Sequence, residues 1–159
     1  MDGGFSIRPA DDLTAVATLF SEYAASIDID LSFQGFDANL TGLPGAYAPP
    51  AGALLLAVSS SGEALGCVAV RPLREAGTCE MKRLHTRPNA RRTGVGRALA
   101  RAAIEAGRQA GYRTMRLDTL PTMVAALALY RSLGFETSPA YYDTALAGTI
   151  FMRKTLARP

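Results

Sequence analysis

Apolar and polar positions along this chain alternate in two rhythms, one with the period of a strand and one with that of a helix. Phe5, Ser6, Ile7 and Arg8 alternate as in a half-buried strand, and Pro9 ends the run. Leu13, Val16, Leu19, Phe20 and Tyr23 then recur at helical spacing, which predicts a helix over 13–27 capped by Asp11 or Asp12. Residues 27–50 are irregular. Leu31, Phe33, Phe36, Leu40 and Leu43 suggest a short second helix, and Gly42, Pro44, Gly45, Pro49 and Pro50 mark loops. Such a stretch is either a lid or binding element or a packed surface crossing.

Three strand-like runs follow at 53–58, 63–73 and 78–86, separated by turn signals at Ser59 to Gly62 and around Pro72, Glu75 and Gly77. Strict alternation in the third puts Cys79, Met81, Arg83 and His85 on one face. Glu80, Lys82, Leu84 and Thr86 fall on the other. Val95, Ala98, Leu99, Ala102, Ala103 and Ala106 describe the core stripe of a helix that stops at Gly111. A strand at 114–119 and a helix from a Thr122 cap to Leu133 come next. Two more strands are expected between 136 and 156, with Tyr141 and Tyr142 near the first and a turn at Ala147-Gly148. The order predicts an α/β fold with a mixed sheet of about seven strands and helices on both faces. The run at 78–86 and the strand at 114–119 become parallel neighbours.

Composition narrows the class. The 159 residues are 48% hydrophobic and 19% charged, the balance of one globular domain spanning 1–159. No apolar run approaches the roughly 20 residues needed to cross a bilayer. The first residues show no leader pattern and Asp2 is not a myristoylation site, so the cytoplasm is expected and a membrane is not. Two cysteines, Cys67 and Cys79, and one histidine, His85, supply neither a disulfide framework nor a metal site, and the thiols read as inert core groups. The net charge is only +3, but its distribution matters. Between Met81 and Ile104 there is no acid, while Lys82, Arg83, Arg87, Arg91, Arg92, Arg97 and Arg101 supply positive charge. Such a field attracts a polyanion. A small multiply phosphorylated ligand fits better than nucleic acid, because the charge surrounds a glycine turn and no nucleic-acid motif is present.

That turn is Arg91-Arg92-Thr93-Gly94-Val95-Gly96-Arg97. Two residues without Cβ let the backbone turn sharply and approach a ligand, and the helix that starts there presents free N–H groups and its positive dipole end. Together these cradle a phosphate or pyrophosphate. The Gly-Lys-Ser/Thr of a nucleoside triphosphatase loop is missing, and Leu99 stands where a dinucleotide fingerprint needs its third glycine.

With the elements around it, the turn resembles the signature of the GNAT family of acyl-CoA-dependent N-acetyltransferases, Gln/Arg-x-x-Gly-x-Gly/Ala. A second stretch, from Met123 through Ala126, Leu129 and Tyr130 to Gly134-Phe135, resembles the family's Asn-x-x-Ala-x-x-Leu-Tyr-x-x-x-Gly-Phe, except that Met123 replaces Asn. The resemblance covers nearly the whole chain. It implies a GNAT-like, mostly antiparallel central sheet with a parallel pair after the fourth strand. It implies acetyl-CoA as co-substrate, bound by Arg91, Arg92, Thr93, Gly94, Val95, Gly96 and Arg97, with Ala126 beside it and Met123 weakening one side-chain contact. Backbone groups of Leu84, His85 and Thr86 would pair with the pantetheine arm and polarise the acetyl carbonyl. Tyr130 would be the general acid for the leaving thiolate, unless it is simply packed against the sheet.

Glu80 lies eleven residues before Arg91, where the histone-acetylating branch of the family carries a catalytic glutamate. It is either the base that accepts the amine's proton or half of an ion pair with Lys82, Arg83 or Arg113. His85 is a second candidate base, but its parity sets it opposite Glu80 unless a bulge intervenes. Phe33, Tyr141 and Tyr142, with Tyr23, Phe36, Tyr47 and Asp143 behind them, are candidate acceptor contacts and would suit a cationic amine. The reading is an N-acetyltransferase that acts on a primary amine of a small molecule or peptide by direct attack in a ternary complex. Strand edges near the C-terminus would allow a homodimer. The alternative is an acyl-CoA-binding sensor without catalysis.

Overall fold

The computed structural model describes residues 4–27, 42–144 and 147–157. β1 (Phe5–Pro9) leads into α1 (Leu13–Ile27), whose first turn is capped by Asp12 Oδ1 accepting the Ala15 N–H at 3.0 Å. The meander consists of β2 (Ala53–Ser59), β3 (Ala64–Pro72) and β4 (Thr78–Thr86). α2 (Val95–Gln109), β5 (Thr114–Thr119), α3 (Val124–Ser132), β6 (Glu136–Ser138) and β7 (Ile150–Thr155) complete the order. The strands form one sheet in the order β1-β2-β3-β4-β5-β7-β6. Every pairing is antiparallel except β4 with β5, the parallel pair that the α2 crossover requires.

Each face of the sheet buries its own apolar set. The stripe Val95, Leu99 and Ala103 of α2 packs with Val68, Val70, Cys79, Met81, Met115, Leu117 and Met152, and α3 adds Leu127 and Tyr130. On the opposite face Val16, Leu19 and Phe20 of α1 pack on Leu54, Leu56, Cys67 and Ala69, with the Tyr47 ring edge-on to Phe20 at 6.0 Å. The two thiols therefore lie in separate cores on opposite faces.

Three expectations need correction. Thr122 does not cap α3: Met123 holds the N-cap position, without a side-chain cap bond. Tyr141 and Tyr142 lie just past β6, which ends at Ser138. Tyr47 is a core residue, 1% exposed, and not part of an acceptor rim. The alternation along β4 is broken: Ala69 pairs with Lys82, but Cys67 pairs with His85, so one extra residue is inserted opposite β3. Arg83 takes it up at φ 60°, a left-handed conformation rare for a residue with a Cβ. Past this bulge the faces exchange. Leu84 joins the α2-side core with Met81, and His85 turns to the α1 side with Glu80. The proposed short helix within 31–43, and with it Phe33 and Phe36, lies outside the described residues apart from its last positions.

A gap opens beside the bulge. β4 and β5 pair only over Thr78–Glu80 and Thr114–Arg116, although β4 runs on to Thr86 and β5 to Thr119. The two strands splay, and the β4 edge from Met81 onward has no β5 ladder.

Candidate active site

The glycine turn sits at the open end of this gap. A 3₁₀ turn (Pro88–Ala90) carries the chain off β4, and the Thr93 hydroxyl donates to the Ala90 carbonyl. Arg92 at φ 64° and Gly94 at φ 90° then reverse the backbone into α2. Gly94 is the N-cap, and its carbonyl accepts the first helical bond from Ala98 N–H at 3.0 Å. The amides before Ala98 lack a carbonyl one turn earlier in the helix, so they form the donor end of the element. Arg91, Arg92, Thr93, Gly94 and Arg97 are exposed, whereas Val95 is buried and anchors the turn. A Cβ on Gly94 would meet no atom within 4 Å, so the space over the turn is open. A Cβ on Gly96 would come to 3.3 Å from Thr86 Oγ1, so this glycine brings the helix start against the end of β4. Non-glycine residues with positive φ cluster at functional sites, and the two among the described residues, Arg83 and Arg92, flank the gap and its mouth.

Tyr130 comes to this region from α3. It is 7% exposed, its ring lies edge-on to Phe135 at 5.9 Å, and burial pushes its phenol above the ordinary value. Tyr23 and Asp118, both on the α1 side, act on it in the same direction, so the phenol lies within electrostatic reach of groups beyond the sheet. It keeps its proton at neutral pH. Ala126 is half-buried on the same helix. Met123 is held locally, with its sulfur accepting the Thr119 hydroxyl at 3.7 Å.

Glu80 is 1% exposed at the point where the strands part. Of the ion-pair partners expected for it, Lys82 is present at long range, and two closer partners come from elsewhere. Arg71 Nε donates to Oε1 at 2.7 Å, and the Tyr141 hydroxyl donates to Oε2. Lys82 Nζ is 3.9 Å away. Arg71 faces Glu80 in the β3–β4 register, a pairing that the strand order could have supplied. On β5 the Tyr142 hydroxyl donates to Asp118 Oδ2, and Arg116 ion-pairs with Glu75 at 3.2 Å under the Tyr141 ring. Tyr141, Tyr142 and Phe151 pack edge to face with centroids 5.1 to 5.3 Å apart. The loop after β6 therefore folds two phenols onto two carboxylates, and burial, reinforced by these contacts, raises both phenol pKa values.

The bulge brings His85 to the same face. Its Nε2 lies 3.3 Å from Glu22 Oε1, and Arg87 grips both oxygens of Glu22 from Nε at 3.1 Å and Nη2 at 2.9 Å. Burial holds the His85 pKa below its ordinary value despite the carboxylate, and Arg87 lowers that of Glu22. A pocket of about 620 Å³ lined by Glu22, Ser26, His85, Arg87, Asn89 and Arg91 opens beside the glycine turn, but neither Glu80 nor Tyr130 lines it. The acid-free stretch of sequence is thus not one field in space. Lys82 and Arg83 are drawn inside, with the Arg83 guanidinium 6.0 Å from the ring centres of Phe20 and Tyr23, and Glu22 enters from α1. Among the described residues no three His, Cys, Asp or Glu side chains gather as a metal site.

A mixed sheet with one parallel pair and a glycine turn opening the crossover helix is shared with known acyl-transferring proteins. The model of the acetyltransferase (GNAT) family matches residues 17–135, and the chain belongs to that family. An uncharacterised N-acetyltransferase of Schizosaccharomyces pombe is 38% identical over 153 residues, which cover 96% of this chain and 94% of the relative. A crystal structure from Klebsiella pneumoniae, assigned to the acyl-CoA N-acyltransferases, superposes with a TM-score of 0.71 at 29% identity, over 98% of this chain and 100% of that one. The YncA structure of Salmonella typhimurium, which holds acetyl-CoA as its cofactor, has a TM-score of 0.71 at 20% identity and covers 96% of this chain and 94% of its own.

Proposed function

We propose that this acetyltransferase transfers an acetyl group from acetyl-CoA to a primary amine by direct attack within a ternary complex. The observation that carries the reading is the splay of β4 from β5, with Glu80 where the strands part and the glycine turn leading from the end of β4 into α2. Backbone N–H groups from Arg92 to Arg97, together with the arginines around them, hold the pyrophosphate. The free β4 edge at Leu84, His85 and Thr86 pairs with the pantetheine arm and passes beside Ala126. A backbone N–H there faces the oxyanion as the thioester carbonyl becomes tetrahedral.

The amine nitrogen attacks the carbonyl carbon, and its proton passes to Glu80, directly or through the Tyr141 hydroxyl bonded to it. Collapse breaks the C–S bond, and the departing sulfur takes the proton of Tyr130. Tyr130 carries that proton at neutral pH, and burial, which raises its pKa, makes the phenol a weaker acid that yields it only to the developing thiolate. The acceptor lies on the α1 side against Tyr141 and Tyr142. The reading extends to one domain over 1–159, a cytoplasmic location and a homodimer formed at the β6 edge, where strand pairing is open.

Tyr130→Phe tests it. The variant should lose about 10²- to 10⁴-fold in kcat while binding acetyl-CoA as the wild type does. Unchanged turnover would remove Tyr130 from the chemistry. The sensor alternative, kept in view by Met123, predicts acetyl-CoA binding in calorimetry with no thiol released by any amine.

A further inference from the structure

Lys82 is a buried cation whose one ion pair among the described residues is a long one. Its side chain is 8% exposed, and it lies on the α1 side of β4 two residues past Glu80. Its ion contact is Glu80 Oε1 at 3.9 Å, too long for a hydrogen bond. That carboxylate is already engaged by Arg71 at 2.7 Å and by Tyr141. Asp118 accepts from Tyr142, and Glu75 holds Arg116 at 3.2 Å. Glu80 and Asp118 therefore have closer donors, and among the described residues the Lys82 ammonium makes no hydrogen bond. Burial accordingly pulls its pKa down. Such a group is costly unless an anion arrives from outside.

We infer that Lys82 anchors the carboxylate of the acceptor, so that the amine acetylated here belongs to a free α-amino acid. The inference rests on the transferase reading, in which the acceptor amine meets Glu80. The two anchoring groups are 3.9 Å apart, so the acceptor carries its amine and its acid close together, as an α-amino acid does and a peptide N-terminus does not. The acceptor's carboxylate completes the hydrogen bonding of Lys82, while its ammonium faces Glu80 and the Tyr141 hydroxyl. A purely cationic amine, which the tyrosines alone suggested, leaves Lys82 unanswered and adds a positive charge next to it.

The test is calorimetric titration of matched sets into the protein loaded with CoA, whose thiol form cannot react. Each set holds one amino acid, its carboxamide and its decarboxylated amine, for the twenty common side chains. In at least one set the free acid should bind about 10- to 100-fold tighter than both analogues, the range for a hydrogen bond to a charged group. Lys82→Gln should bring that ratio close to one and Lys82→Arg should keep most of it, with CoA affinity reporting that each variant is folded. The inference is overturned if no set prefers the acid, or if Lys82→Gln retains the preference. A Lys82 acting as base instead would show as a lowered kcat and a shifted pH profile with the acid preference intact. Failure of the transferase reading is seen separately, as acetyl-CoA that stays intact in the presence of the tightest-binding acid.

Discussion

Gly94 concentrates the cofactor reading in one residue. At φ 90° any side chain is strained by roughly 1–2 kcal/mol, yet no neighbour obstructs a Cβ. Gly94→Ala should therefore cost about that much stability and weaken acetyl-CoA only modestly. Gly94→Glu adds bulk and negative charge where phosphate should sit, and calorimetry should find acetyl-CoA affinity reduced by at least about 100-fold, roughly 3 kcal/mol. Equal affinity in Gly94→Glu would contradict the cradle. The cysteines make the opposite case. Cys67 and Cys79 are fully buried, and burial raises both thiols, Cys79 to about 12, so neither is a ready thiolate. The double alanine variant, once folded, should turn over within about twofold of the wild type, since only a covalent acyl-enzyme would need them. The glycines and thiols were legible in sequence because each acts through what its own side chain contains or lacks.

At the scale of elements, β4 decides the site. Its outer half was misread because the bulge at Arg83 leaves no mark in the hydrophobic pattern: an arginine with positive φ is indistinguishable in sequence from one in regular β geometry. Glu80 and its long ion pair with Lys82 could be read along one strand, but its closer partners come from β3 and from the loop after β6, and alternation along one strand gives no access to either. The bulge also fastens β4 to α1 through His85, Glu22 and Arg87, with Tyr23 against the ring and Arg91 near enough to repel a charged imidazole. The folded His85 pKa lies below its unfolded value near 6.5, so below that pH the unfolded chain binds more protons. This contribution is whole above about pH 6.5 and is lost as pH falls through the folded value. Glu22 adds a loss of the same sign further down, below its ordinary 4.5. Denaturant unfolding should show stability declining from pH 7 to pH 5, and His85→Gln should flatten that slope. An equal slope in the variant would show that the clamp does not titrate as described.

Over the whole molecule, the order of elements and the parallel pair followed from the sequence, since helix and strand periods are set locally and a crossover through a helix leaves one handed solution. The splay could not be read there, because it is an absence of pairing between strands that each look complete. Charge behaves likewise. The exposed Arg91, Arg92 and Arg97 surround the turn while Lys82 and Arg83 are drawn to the α1 side, so one run of basic residues divides between two places in the fold. Attraction through exposed arginines is screened by salt, and acetyl-CoA affinity should fall several-fold between about 0.05 and 0.5 M NaCl. A flat salt response would mean that the arginines do not face the phosphates. The most direct test of the whole account is thiol release from acetyl-CoA, measured with and without amine acceptors alongside mass detection of the N-acetyl product. The account predicts release that depends on the acceptor and matches product one to one. Acetyl-CoA that binds but stays intact with every amine, or is cleaved equally well without one, would contradict it.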